Sequence, residues 1–276
     1  MAHRLARFRL LLAAAAVFVG WAQGAAAGPG SSPSPTMDRV AARGELVVGT
    51  AASMPPLNMK TRDGEVIGLD VDLAKILAAG MEAKLRLETM PFADLLPALE
   101  AGKVDLVISG MTMTPARNRR FAFVGPYFVS GKSLVAKQST VATVKKGADL
   151  NVPEMTLAAL NGSTSAGFVE KVLPKAKLVT VKDYDEGIAM VLDDRASALV
   201  ADHSICEVSA YRHRDRGLVA LKEKLSFEPL GVALPPNDPL LVNWVQNLLL
   251  NLEGSGDLNK LRKRWFEETD WLEKLP

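Results

Sequence analysis

The hydrophobic and polar positions along this chain alternate between strand-like and helix-like patterns. Short apolar runs predict strands, and segments whose apolar residues lie three or four positions apart predict helices. The predicted strands are 45–50, 84–89, 104–108, 133–136, 155–160, 177–181, 198–201 and 230–234. The predicted helices are 37–43, 68–80, 92–101, 166–173, 184–192, 203–212, 239–252 and 256–266. This alternation predicts an α/β fold built from βαβ units with mostly parallel sheets.

The same alternation starts again after residue 133, so the sequence predicts two α/β units, the second inserted in the first. The strand at 230–234 and the two helices after it need a sheet against which to bury their apolar faces. We expect them to return to the sheet of the first unit. Ligands of such folds lie beyond the carboxyl ends of the strands. Small and hydroxylated residues follow the strand at 104–108, among them Ser109, Gly110 and Thr112.

An arginine stands where a helix is predicted to begin. Pro115 suits the first helical position, Thr114 is the expected N-cap, and Arg117 then falls in the first turn. A cation there opposes the helix dipole, which favours anions at that end. A bound carboxylate, gripped by two parallel hydrogen bonds from Arg117, would resolve the conflict. A short solvated turn of basic residues is the alternative.

The first 27 residues have the pattern of a signal peptide. Arg4, Arg7 and Arg9 precede an apolar run at 10–22 and a small-residue cleavage site near Ala27. The run has 13 residues, which is too short for a membrane span of about 20 residues. We therefore expect an exported protein with a flexible linker at 28–36.

The charge argues against a nucleic-acid-binding protein, and the cysteine content excludes an internal disulfide. Without the three arginines of the signal peptide, the formal charge falls from +2 to −1, so no nucleic-acid footprint remains. Cys206 is the only cysteine of the chain and cannot form an internal disulfide. We expect it to be a small buried hydrophobic residue.

Several longer sequence blocks can be compared with a known family. They are L-V-V-G-T at 46–50, G-L-D-V-D-L-A at 68–74, A-L-E-A-G-K-V-D-L-V-I-S-G at 98–110 and M-T-M-T-P-A-R-N-R-R-F-A-F-V-G-P-Y-F at 111–128, with the later G-S-T, A-L-V-A-D and L-N-K-L-R-K-R-W-F. Through these blocks the chain resembles the periplasmic amino-acid-binding proteins of ABC transporters, family 3. The resemblance implies the type II periplasmic-binding-protein fold, in which two α/β lobes are joined by two crossover strands. Lobe 1 would comprise 37–131 and 230–276, and lobe 2 would comprise 132–229.

The resemblance also implies how the first lobe would hold a ligand. Arg117 takes the position of the family's carboxylate-binding arginine. Backbone and hydroxyl groups of Ser109, Gly110 and Thr112 would help to hold the ligand. The block at 111–128, which contains Thr112 and Arg117, is the most specific of the matching blocks.

The second lobe would supply the other half of the clamp. Ser163 and Thr164 would offer N–H groups from a helix N-terminus, which suits a carboxylate. Asp202 takes the position of the acid that pairs with the α-ammonium group. As an alternative, Asp202 is an N-cap for the helix that begins at His203.

The side-chain pocket departs from the family pattern. Many members carry an acidic residue after G-T and then an aromatic residue, where this chain has Ala51 and Met54. Leu57 replaces a usual phenylalanine, and Phe92 occupies another pocket-lining position. The loss of a charge argues against a cationic ligand and leaves small, apolar or uncharged polar amino acids open. Met54 and Phe92 are equally consistent with core residues.

The resemblance implies a periplasmic binding protein that delivers an α-amino acid to an ABC permease. We expect a monomer without cofactor, metal or nucleic-acid partner. The alternative is an enzyme on the same scaffold, because cyclohexadienyl dehydratases are similar to these proteins. Those enzymes need a general acid three residues after the aspartate at position 202, where this chain has Ile205. Glu207 lies two residues further on, about 200° around the helix.

Overall fold

The computed structural model describes residues 34–144 and 147–276. The predicted signal peptide and residues 28–33 of the predicted linker lie outside this part of the chain. The first helix begins at Pro35, two residues before the predicted start. The reason is a local cap: the side chain of Ser34 accepts a hydrogen bond from the N–H of Met37, and Pro35 occupies the first turn.

The described residues form strands and helices in alternation. The strands are β1 (Glu45–Thr50), β2 (Ser53–Met54), β3 (Asn58–Lys60), β4 (Val66–Ile67), β5 (Lys84–Thr89), β6 (Leu106–Val107), β7 (Ala122–Ser130), β8 (Lys132–Lys137), β9 (Thr156–Leu160), β10 (Lys177–Val181), β11 (Ala198–Asp202), β12 (Leu218–Ala220) and β13 (Glu228–Leu234). The α-helices are α1 (Pro35–Arg43), α2 (Leu69–Gly80), α3 (Leu95–Glu100), α4 (Pro115–Asn118), α5 (Gln138–Thr143), α6 (Thr164–Val172), α7 (Tyr184–Leu192), α8 (His203–Arg212), α9 (Pro239–Gly254) and α10 (Asp257–Phe266).

The first large sheet has the strand order β5-β1-β6-β13-β7. Strand β1 runs parallel to β5 and β6, whereas β13 runs antiparallel to β6 and β7. The chain therefore returns to its first sheet near the end, as the sequence analysis predicted. A small antiparallel sheet, β2-β3-β4, follows β1. We call these strands with α1–α4, α9 and α10 the first lobe.

The second large sheet has the strand order β10-β9-β11-β8-β12. Strand β9 is parallel to β10 and β11, and β8 is antiparallel to β11 and β12. We call this sheet with α5–α8 the second lobe. The chain passes between the sheets twice, from β7 to β8 and from β12 to β13, which gives the predicted two-lobe α/β fold.

Some elements differ from the prediction. The helix expected at 92–101 consists of a 3-10 turn, Phe92–Asp94, followed by α3. The strand expected at 104–108 shortens to β6, and the short strand β2 lies in a stretch where no strand was predicted. Strand β7 was not predicted, because Gly125 and Pro126 interrupt its apolar run.

Apolar burial stabilises both lobes. Leu46 and Leu106 on the central strands of the first sheet are fully buried, as are Leu73 and Leu77 on α2. Cys206 is buried as predicted, and burial raises the pKa of its thiol above the usual range. No helix among residues 34–144 and 147–276 is long and apolar enough to cross a membrane.

Candidate ligand-binding cleft between the lobes

The segment after β6 places Arg117 at the edge of the first sheet. Pro115 occupies the first turn of α4, and the hydroxyl of Thr114 accepts a hydrogen bond of 3.2 Å from the backbone N–H of Arg117. The predicted N-cap and helix start are therefore confirmed. The cap fixes the backbone from which the guanidinium group extends.

The guanidinium of Arg117 contacts both lobes. Its Nη1 donates to the carbonyl oxygen of Thr112 at 2.8 Å. Its Nη2 donates to the carbonyl oxygen of Gly162, on the second lobe, at 3.1 Å. The Cζ atom also lies 5.7 Å from the centre of the Phe92 ring, a distance at which a cation is attracted to the aromatic face. Arg117 is thus held at the junction of the lobes.

Arg117 brings a positive charge without a carboxylate partner. Burial lowers the pKa of Arg117 to about 10, while the nearby carboxylates of Glu228 and Asp202 act to raise it. The guanidinium therefore stays protonated at neutral pH. Among the described residues, no carboxylate forms an ion pair with Arg117. A ligand carboxylate would supply that partner.

The polar groups of Ser109 and Gly110 are used within the first lobe. The hydroxyl of Ser109 accepts a hydrogen bond of 2.9 Å from the N–H of Ala51 and lies 3.8 Å from the sulfur of Met54. The N–H of Gly110 donates to Oδ2 of Asp70 at 2.8 Å. The hydroxyl of Ser109 and the N–H of Gly110, which were expected to help hold the ligand, are thus engaged within the protein. Both residues shape the loop behind Arg117 from within the first lobe.

Asp70 is a buried carboxylate beneath this loop. Its Oδ2 accepts hydrogen bonds from the Nδ2 of Asn58, at 2.7 Å, and from the N–H of Gly110. Burial raises the pKa of Asp70 to about 6, although the hydroxyl of Tyr127 and these two donors stabilise the ionised form. The carboxylate therefore links α2 to the loop that leads to Arg117.

Met54 and Phe92 have different surroundings. Met54 is fully buried, and a Cβ atom added at Gly110 would lie only 2.9 Å from its methyl carbon. Met54 therefore packs under the loop as a core residue. Phe92 is buried too, but it lines a cavity of about 310 Å³ together with Ala51 and Lys182 of the second lobe. Phe92 is therefore buried like a core residue and also forms part of the cavity wall.

The N-terminus of α6 faces the first lobe. Ser163 caps the helix, since its hydroxyl accepts a hydrogen bond of 3.2 Å from the N–H of Ala166. The N–H of Ser163, which was expected to be offered to the ligand, donates instead to the carbonyl of Leu160 at 3.2 Å. The hydroxyl oxygen of Thr164 lies 3.3 Å from that of Thr112. Thr164 thus connects the two lobes directly.

Asp202 is paired with a lysine that the sequence analysis missed. The Nζ of Lys132 lies 2.8 Å from Oδ1 of Asp202, and both side chains are buried. Asp202 occupies the N-cap position of α8, but its side chain makes no capping hydrogen bond. The capping alternative is therefore wrong, and the carboxylate serves an ion pair instead.

Glu228 is a second residue that the sequence analysis missed. Its Oε2 lies 3.4 Å from the Nζ of Lys132 and accepts a hydrogen bond of 3.1 Å from the hydroxyl of Thr164. Its Oε1 accepts one of 2.8 Å from the hydroxyl of Ser226. Burial alone would raise the pKa of Glu228, but Lys132 and the hydroxyls of Ser226, Thr112 and Thr164 outweigh it and hold the pKa below its usual value. Glu228 is therefore ionised at neutral pH.

The structure thus brings one set of charged and polar residues together between the lobes. The set consists of Thr112, Arg117, Lys132, Thr164, Asp202 and Glu228. A cation at one end and a group of carboxylates around a lysine at the other can hold a small ligand that carries both charges.

The position that a dehydratase would need for its acid is apolar. Ile205 is fully buried in α8. The carboxylate of Glu207 is largely exposed and lies 3.2 Å from Nε2 of His203, one helical turn away. Glu207 therefore extends to the surface of α8.

A two-lobe α/β fold with charged residues at the junction of its lobes is typical of solute-binding proteins. Residues 46–268 match the family described as bacterial extracellular solute-binding proteins, family 3. The chain belongs to this family.

The chain is similar to three named proteins over most of its length. The glutamine-binding protein of Geobacillus stearothermophilus is 30% identical over 210 residues, which cover 73% of this chain and 77% of that protein. A binding component assigned to an ABC transporter of Wolinella succinogenes, solved with lysine, is 38% identical, with a TM-score of 0.80 and coverage of 84% and 100%. An ancestral amino acid-binding protein, a precursor of cyclohexadienyl dehydratase, is 35% identical, with a TM-score of 0.77 and coverage of 84% and 99%.

Proposed function

We propose that this protein binds an α-amino acid between its lobes and delivers it to the permease of an ABC transporter. The observation that carries the proposal is the half-buried guanidinium of Arg117, which reaches the second lobe but has no carboxylate partner among the described residues. A bound α-carboxylate would complete its hydrogen bonds and its charge.

The clamp combines groups from both lobes. Arg117 holds the α-carboxylate with the help of Thr112, and Thr164 contributes from the N-terminus of α6. Asp202 attracts the α-ammonium group. Ser109 and Gly110 shape the loop of the first lobe, and the N-cap Ser163 shapes the second.

The pocket for the ligand side chain is lined by Ala51, Phe92 and Lys182. Met54 supports it from beneath. Closure of the lobes on the ligand, with lobe boundaries at 131/132 and 229/230, is a hinge motion. The protein acts in the periplasm as a monomer after cleavage of the signal peptide near Ala27, and it needs no cofactor.

We propose binding without turnover. The fully buried Ile205 and the exposed Glu207 leave the acid position of the related dehydratases without a carboxyl group. Release of product from prephenate, at a rate that saturates with substrate, would contradict this part of the proposal.

A thermal-shift screen tests the proposed function. The protein is unfolded, freed of any ligand it carries and refolded, and its melting temperature is measured with each of the twenty L-amino acids. A ligand that binds only the folded state raises the melting temperature. The matching amine without the carboxylate is the control and should have no effect. If none of the amino acids raises the melting temperature, the proposal is wrong.

A further inference from the structure

Three buried ionic side chains form a compact cluster at the crossing between the lobes. The Nζ of Lys132 lies 2.8 Å from Oδ1 of Asp202 and 3.4 Å from Oε2 of Glu228. All three residues are less than a tenth exposed. Buried charges are rare unless they are paired, and here one ammonium group stands between two carboxylates.

The backbone fixes the position of Lys132. Lys132 and Asp202 are direct partners across the antiparallel strands β8 and β11, which brings their side chains together on one face of the sheet. The N–H of Lys132 also donates to the hydroxyl of Ser226 at 3.0 Å, and that hydroxyl donates to Glu228. The cluster is therefore a built part of the fold.

The charges at the junction have a simple balance. Lys132, Asp202 and Glu228 together carry one net negative charge, and Arg117 carries one positive charge. An amino acid with an uncharged side chain presents one charge of each sign and matches both ends. The proposed side-chain pocket is lined by two cations and one anion, Lys60, Lys182 and Asp183. A ligand with a further cation would therefore add to a surplus of positive charge there, which is disfavoured in a closed cleft.

We propose that Lys132 sets the charge selectivity of the cleft. Its ammonium group neutralises one of the two carboxylates, so the end of the cleft that faces the α-ammonium carries a single net negative charge, and the protein selects amino acids of zero net charge. This inference rests on the proposed amino-acid binding. It assigns the choice between charged and uncharged ligands to Lys132, a buried residue that pairs with Asp202 and Glu228.

Calorimetric affinities for two pairs of ligands test the inference. L-methionine and L-lysine have side chains of similar length, as do L-glutamine and L-arginine, and each pair differs in side-chain charge. For wild type we expect the uncharged member to bind at least about tenfold more tightly. In Lys132→Met the cleft gains one net negative charge, and the preference should move toward the cationic member by about tenfold or more, or about 1.4 kcal/mol.

Lys137→Met is the matched control. Lys137 lies at the other end of β8 and pairs with the exposed Asp194. Its replacement by methionine changes the net charge of the protein as much as Lys132→Met does, but it leaves the charges at the junction of the lobes unchanged. The preference should stay as in wild type. An equal shift in Lys137→Met and Lys132→Met would overturn the inference.

A second variant keeps the test decisive if Lys132→Met does not fold. Glu228→Gln removes a negative charge from the cluster, and the affinity for L-glutamate relative to L-glutamine should rise several-fold.

A wild-type preference for L-lysine or L-arginine, or an unchanged preference in both folded variants, overturns the inference and leaves amino-acid binding intact. Failure of wild type to bind any of the twenty amino acids overturns both.

Discussion

The guanidinium of Arg117 donates a hydrogen bond of 3.1 Å to the carbonyl oxygen of Gly162, and this contact joins the first lobe to the second. A positive φ of 72° puts Gly162 in the left-handed region, directly before the N-cap of α6. A side chain at this position would have a Cβ atom 3.1 Å from both the Cα and the Cβ of Ala93, on the first lobe. Close approach of the lobes therefore depends on glycine here.

Gly162→Ala should hinder closure. The new methyl group meets the backbone of Ala93, so the lobes must part by a few tenths of an ångström, and we expect amino-acid affinity to fall by about tenfold, or about 1.4 kcal/mol. Gly102→Ala is the matched control, because Gly102 has a φ of 67° and no atom within 4 Å of an added Cβ. Calorimetry on both variants measures the difference. Equal affinities would show that the contact does not limit closure.

Asp202→Asn should destabilise the folded protein. The change leaves the buried ammonium of Lys132 with only the more distant Glu228, and loss of one partner of a buried ion pair costs about 3 kcal/mol. Urea unfolding gives the change in the free energy of unfolding. Asp194→Asn breaks the exposed pair with Lys137 and should cost less than about 1 kcal/mol. A similar small loss in both variants would argue against a buried pair at Asp202.

Asp70 should make stability depend on pH. Burial raises its pKa from 3.8 to about 6 in the folded state, so the folded protein binds the proton more tightly than the unfolded chain does. The stability contributed by the protonated form is fully present below pH 4 and is lost as the pH rises through 6, by about 3 kcal/mol in total. Asp70→Asn removes this titration but keeps an acceptor for Gly110.

Urea unfolding of wild type and Asp70→Asn between pH 4 and pH 8 checks this prediction. The variant should gain stability relative to wild type as the pH rises, with most of the change between pH 4 and pH 6. A constant difference over this range would mean that Asp70 ionises at its ordinary pKa in the folded protein.

Local patterns in the sequence predicted most elements of the fold. The bounds of β1, β5, β10, α7 and α8 agree with the apolar runs and helical periods that predict them. The cap at Thr114 was predictable, because a hydroxyl before a proline and a helical turn is a local signal. Strand β7 was missed because its proline and glycine look like a break, while its partner β13 lies about a hundred residues away.

The candidate site was predictable only in part. Arg117 and Asp202 stand in motifs of the family, but Lys132 and Glu228 stand at the ends of strands, where charged residues are usually exposed. Their burial results from the crossing of two chain segments at the junction of the lobes. The local pattern of apolar and polar residues cannot predict such a crossing. The same holds for Asp70, which looks like an ordinary acid in the first turn of α2.

Calorimetric titration of Arg117→Ala tests the central claim most directly. The titrant is the amino acid that raises the melting temperature of wild type most. If Arg117 binds the α-carboxylate, its loss should weaken binding by about 3 kcal/mol or more, the scale for an unpaired buried charge. Arg119→Ala, an exposed arginine two residues away, should bind as wild type does. Equal affinity of Arg117→Ala and wild type would contradict the account.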